Sequence, residues 1–136
     1  MRIELTGRDR AVSFDCADDQ EILFAGLAAG FGLPHECGTG NCATCKASVV
    51  EGDVDPGWID APGRRLLKEA SNEILMCQAR PRGDCRLTVR ARLPDIDGFL
   101  PTPIGGQVAS VAPLNHNVLR LAIRPARPMP YDAGQF

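Results

Sequence analysis

Long apolar runs are the first thing missing from this 136-residue chain. No stretch approaches the roughly eighteen consecutive apolar residues that a bilayer-spanning helix needs, so no membrane role is expected. The N-terminus also lacks the basic start and apolar core of a signal peptide, because Met1-Arg2-Ile3-Glu4-Leu5 alternates polar and apolar residues. A cytoplasmic, reducing location is the expectation, and thiols there remain available to metal. Charge of one sign is lacking too. A formal net charge of −2 is too small to point to a nucleic-acid partner.

What is present excludes disorder: 44% of residues are hydrophobic and 24% charged, the balance of a globular chain. The charge is unevenly spread, with sixteen Asp and Glu against twelve Lys and Arg through residue 100. A mildly acidic first part suits a surface that meets a basic partner, although plain solvation is the commoner reason for so small an excess.

Six cysteines remain, and four of them carry a pattern. Cys37-Gly38-Thr39-Gly40-Asn41-Cys42-Ala43-Thr44-Cys45 is answered by Cys77 in Leu75-Met76-Cys77-Gln78-Ala79. Four residues between the first two cysteines and two between the next pair is the spacing of plant-type [2Fe-2S] ligation. Cys37, Cys42, Cys45 and Cys77 are therefore the candidate ligands, and no catalytic residue is proposed. A loop that brings three thiolates to one group has to curl around it, and Gly38 and Gly40 supply backbone conformations closed to other residues.

Rival readings fit less well. Zinc sites pair their ligands as two short knuckles, and a second one is missing here. A redox Cys-x-x-Cys would leave Cys37 and Cys77 idle. Gly38-Thr39-Gly40-Asn41-Cys42-Ala43 matches a dinucleotide-binding fingerprint only on paper, since no strand precedes it and no amphipathic helix follows. A disulfide scaffold suits neither the absence of a signal peptide nor the apolar content.

The remaining chain reads as alternating strands and one helix. Ile3 and Leu5, then Val12, Phe14 and Cys16, form a hairpin across Gly7-Arg8-Asp9, which makes Cys16 a core residue. Asp18 with Glu21 resembles a capping box that opens a helix through Ile22, Leu23, Gly26 and Leu27, and Gly30 closes it. Residues 46–50 form a strand ended by Glu51-Gly52-Asp53, and Ala61 to Ala70 holds one or two helical turns. Ile74-Leu75-Met76 leads into Cys77. Cys85, Leu87 and Val89 alternate with polar residues in a last strand, which excludes Cys85 as a ligand. His35 is read as a surface residue, since four cysteines already satisfy the ligand count. Trp58 is either a cap over the core edge or a partner contact. The fold class is α+β, a helix packed on one mixed sheet.

Leu33-Pro34-His35-Glu36-Cys37, the cysteine loop, Gly52, and Met76-Cys77-Gln78-Ala79-Arg80-Pro81 with Asp84 resemble the ferredoxin domain of bacterial oxygenase reductases. The resemblance implies a β-grasp topology over residues 1–94. It also implies a longer protein in which NAD(P)H reduces FAD and the [2Fe-2S] cluster then passes electrons to an oxygenase component. Residues 95–106, rich in proline and glycine, read as a linker. Residues 107–136 resemble the opening hairpin of the flavin-binding β-barrel, and Tyr131-Asp132-Ala133-Gly134-Gln135-Phe136 resembles the segment before that family's flavin motif. No FAD or nicotinamide contact is assigned within the chain. A free-standing ferredoxin and a zinc-stabilised interaction module are the alternatives.

Overall fold

The computed structural model describes residues 1–100, 102 and 104–131. These fall into two units, Met1–Leu100 and the part from Pro101 onward.

Alternation builds the sheet of the first unit. Strand β1 (Arg2–Thr6) buries Ile3 and Leu5, and β2 (Ala11–Asp15) buries Val12 and Phe14. The two pair antiparallel with Ile3 opposite Phe14. Helix α1 (Ile22–Ala28) follows, then β3 (Lys46–Glu51) and β4 (Val54–Asp55), and 3-10 turns at Pro62–Leu66 and Glu69–Ser71. Strands β5 (Glu73–Leu75), β6 (Arg80–Pro81) and β7 (Cys85–Thr88) complete the unit. The main sheet runs β2-β1-β7-β3-β5. Its first and last strands, β1 and β7, lie side by side and parallel, so Leu5 stands next to Leu87. A helix on a mixed sheet is the α+β class expected.

The core lies between α1 and the sheet. Ile22, Leu23, Ala25 and Leu27 join Ile3, Leu5, Phe14, Leu75, Met76 and Leu87 in one buried cluster. Each such aliphatic side chain removed from water contributes about 1.5–3 kcal/mol. Cys16 and Cys85 are buried in it, as their alternation required. Helix α1 lies close because Gly26 has no side chain. A Cβ there would meet Leu33 at 2.7 Å and the Phe14 ring at 3.0 Å.

Two local expectations change. Glu21 rather than Asp18 is the residue before α1, and no side chain caps the helix. The first amides are satisfied through tertiary structure instead: the Ile22 N–H donates to the Ala79 carbonyl and the Leu23 N–H to the Met76 carbonyl, both at 3.0 Å. Glu21 is thereby free to pair with Arg80 at 2.6 Å. The small sheet of β4 with β6 was not expected, since two-residue strands carry no periodicity.

Beyond β7 the chain stays attached. Leu93 is fully buried, the Pro94 carbonyl accepts from the Gly32 N–H at 2.7 Å, and the Ile96 N–H donates to the Gly30 carbonyl at 2.7 Å. Arg10 holds Asp95 at 2.6 Å.

The second unit contains an antiparallel hairpin of β8 (Gly106–Pro113) and β9 (Leu119–Pro125), with a bulge between Val108 and Ser110. Val108, Val111, Leu119, Leu121 and Ile123 are all exposed. Asp132 to Phe136, most of the segment compared with the approach to a flavin motif, lie outside the described residues. Among the described residues no helix is long and apolar enough to cross a membrane.

Candidate metal centre

The cysteine loop is shaped by its backbone. Gly38 and Gly40 take φ of 64° and 87°, and Ala43 is also left-handed at 59°, a conformation uncommon outside glycine and concentrated at functional loops. The winding turns amides inward. The backbone N–H groups of Thr39, Asn41 and Cys42 all donate to Cys37 Sγ, each at 3.4 Å. These donors, Thr39 first and Cys42 next, bring the half-buried Cys37 thiol down to about 6.

Cys45 and Cys77 arrive from elsewhere. Lys46 pairs with Leu75 at the end of the β3–β5 ladder, and one step beyond it the Met76 N–H donates to the Cys45 carbonyl at 3.1 Å. The two sulfurs come to 3.2 Å from each other, buried. Burial is the main reason that the Cys45 thiol is pushed up to about 12. The Gln78 carboxamide donates to the Cys77 carbonyl at 2.9 Å and approaches Cys77 Sγ at 3.7 Å.

A second layer holds the loop from outside. The Gly63 N–H donates to the Gly40 carbonyl at 2.8 Å, and a Cβ on Gly63 would meet that carbonyl oxygen at 2.7 Å. Gly57, with φ of 69°, backs onto the Gln78 carbonyl. Gly63, Gly57 and Gln78 lie outside the cysteine spacing, and only the Pro-Gly pairs at 56–57 and 62–63 hinted at turns there. His35 is exposed, with its Nδ1 at 2.8 Å from the Leu33 carbonyl.

The structure therefore brings the four cysteines together as two pairs. Cys42 is bonded through its amide, and its thiol, to Cys37, and Cys45 contacts Cys77. Among the described residues no three His, Cys, Asp or Glu side chains gather in the manner of a single-ion site. A four-thiol set split in two, with amides directed at sulfur and half of it buried, fits a two-iron group, which takes two thiolates on each iron. Cys16 and Cys85 stand apart, donating to the carbonyls of Gln20 and Asp53, each at 3.3 Å.

Comparison with known proteins agrees with this chemistry. The 2Fe-2S iron-sulfur cluster binding domain family matches residues 5–82. The chain belongs to this family, and its cofactor is a [2Fe-2S] cluster. It is 38% identical over its whole length to the reductase component DmpP of phenol 2-monooxygenase from Pseudomonas sp., covering 38% of that protein. It is 35% identical, over 91% of its length and 38% of the relative's, to the ferredoxin–NAD(+) reductase component of the alkene monooxygenase system of Xanthobacter autotrophicus. The ferredoxin reductase in carbazole 1,9a-dioxygenase superposes with a TM-score of 0.77 at 32% identity, covering 96% of this chain and 40% of that one. The chain thus spans about two-fifths of each of these three relatives, whose names place them in oxygenase systems. The β-grasp 2Fe-2S fold that the resemblance implied is the fold they share.

Proposed function

We propose that the chain is the iron–sulfur portion of an NAD(P)H-dependent oxygenase reductase, and that Cys37, Cys42, Cys45 and Cys77 hold its cluster, two cysteines to each iron. The observation that carries the reading is the pairwise meeting of these thiols in a 2Fe-2S fold. The bound group supplies reversible one-electron chemistry. The protein's part is to hold and tune it. The Thr39, Asn41 and Cys42 amides stabilise negative charge on the Cys37 sulfur, which favours the reduced state. Burial of Cys45 and Cys77 keeps water from one side, while half-buried Cys37 and Cys42 leave the other side near the surface.

On this reading residues 1–94 are the ferredoxin-type domain, 95–106 the linker and 107–136 the start of a flavin-binding barrel. A lone two-stranded hairpin is marginal in water, and the exposed apolar residues of β8 and β9 suit burial against further strands. FAD and a nicotinamide domain belong to the intact protein, which we place in the cytoplasm, and a separate oxygenase component is its electron acceptor. The names of the relatives support the nicotinamide and oxygenase assignments, and a matching ferredoxin reductase in its FAD apo form supports the flavin.

An anaerobic absorbance titration tests the reading. Dithionite should bleach the visible bands of the iron-loaded chain, whereas NADH or NADPH alone should not, because a one-electron centre cannot accept a hydride. A colourless protein that holds zinc and no iron would overturn it.

A further inference from the structure

We propose that the face formed by Trp58, Ile59, Arg64, Arg65 and Leu66 is the docking surface for a separate redox protein that presents carboxylates around an apolar contact. The inference rests on the electron-transfer reading above. Its geometry starts at the cysteine loop. Gly63 is hydrogen-bonded to Gly40, and the Ala61 side chain lies 3.2 Å from where a Gly40 Cβ would be. The segment 58–66 is therefore seated directly on the candidate centre, and electron transfer weakens steeply with distance. A partner covering this segment sits against the turn that packs on the loop carrying Cys37, Cys42 and Cys45.

The segment turns three large apolar side chains outward. Trp58, Ile59 and Leu66 are 50%, 64% and 59% exposed, and Trp58 is the sole tryptophan. Tryptophan and arginine are the residues most enriched where protein interfaces concentrate their binding energy.

The charge is also local. Asp60 is the one acid between Trp58 and Lys68, against Arg64, Arg65 and Lys68. None of these three cations enters an ion pair among the described residues, whereas Arg2, Arg10, Lys46, Arg80, Arg82 and Arg86 all do. Glu36, which precedes Cys37 in the sequence, accepts from the Thr44 hydroxyl at 3.0 Å. The segment 58–68 is thus positive, three cations to one acid, although residues 1–100 carry an acidic excess, and the partner it fits is acidic. A tethered flavin domain is held at high effective concentration by its linker and gains little from charge steering. A diffusing partner gains encounter rate from it.

The test uses the iron-loaded 136-residue chain and one haem protein in two charge states, native cytochrome c (basic) and succinylated cytochrome c (acidic). Each turnover moves one electron from the dithionite-reduced chain to ferric haem, with no bond made or broken. The succinylated form should be reduced faster, at a rate that falls as salt rises. Arg64→Glu with Arg65→Glu should slow it about tenfold at low salt and reverse the preference. Arg86→Glu, in β7 opposite Glu51 at the far end of β3, should do neither. Trp58→Ala should weaken binding of the oxidised chain to oxidised succinylated cytochrome c, measured by titration calorimetry without any electron flow. Faster reduction of native cytochrome c, or an unchanged ratio in the double variant with its visible spectrum intact, would overturn the docking surface and leave the electron-transfer reading standing. A chain that takes up no iron would overturn both.

Discussion

Cys45 and Cys77 are 32 residues apart in sequence, yet their sulfurs lie 3.2 Å from each other, because Met76 links three elements at once. Its N–H donates to the Cys45 carbonyl, its carbonyl accepts from Leu23 at the start of α1, and its side chain is fully buried. The fourth thiol is placed by the end of a strand ladder and the start of a helix together.

Met76→Ala should therefore do more than open a cavity. Truncating a fully buried methionine costs about 2–5 kcal/mol, and the cluster should also be lost faster on dilution into chelator. Thermal melting and the decay of visible absorbance measure the two effects. A variant that melts early but keeps its iron as long as the unaltered protein would show that Met76 only packs.

Alanine at Cys37, Cys42, Cys45 or Cys77 should abolish cluster uptake. Cys16→Ala and Cys85→Ala should keep about two irons and two acid-labile sulfides per chain, as the cluster class requires. Iron and sulfide assays after anaerobic reconstitution give the answer, and full occupancy in Cys77→Ala would move the fourth ligand elsewhere.

Gly63→Ala and Gly83→Ala should part company. A Cβ on Gly63 meets the Gly40 carbonyl oxygen at 2.7 Å and the Ala43 nitrogen at 3.1 Å, whereas one on Gly83 meets nothing within 4 Å. Crowding of this kind costs about 1–3 kcal/mol, so Gly63→Ala should melt earlier and shed iron faster while Gly83→Ala is near neutral. Equal melting temperatures would show that the 62–66 turn yields without disturbing the loop.

Alkaline pH should destabilise the protein through Cys16. Burial raises its thiol from 9.0 to about 11, so between these values the unfolded chain has lost a proton that the folded chain keeps. The stability this contributes is whole below pH 9 and is lost progressively as pH rises toward 11. Denaturant melts across that window should show the fall, and Cys16→Ala should flatten it. Cys85, also raised by burial, leaves a residual slope.

Asp95 behaves in the opposite sense. Its pairing with Arg10 lowers its pKa, so its contribution is present above 3.8 and is lost as pH falls through the lowered value. Asp95→Asn should leave the melting temperature almost unchanged, since exposed pairs contribute little, but should speed hydrogen exchange at the Ile96 amide. Leu93→Ala, which removes a fully buried side chain, should cost about 2–5 kcal/mol. If Leu93→Ala proved neutral, the chain after β7 would be no part of the first unit.

The sequence by itself determined the chemistry and most of the sheet. Cysteine spacing is a local code: Cys37, Cys42 and Cys45 lie in one loop, and glycines between them are needed wherever a backbone winds around a group. Alternation in β1, β2 and β7 marked Cys16 and Cys85 as core residues because a strand's two faces differ in burial. Tertiary structure alone decided the rest. The start of α1 is capped by the carbonyls of Met76 and Ala79 rather than by Asp18, since a buried carbonyl from a distant turn satisfies an amide as well as a neighbouring carboxylate does. Leu93, next to a proline-rich stretch, is core because Gly7 leaves room for it. The 62–66 turn with Arg64 and Arg65 comes to lie on the cysteine loop through the backbone bond from Gly63 to Gly40, between residues whose separation leaves no trace in any local pattern.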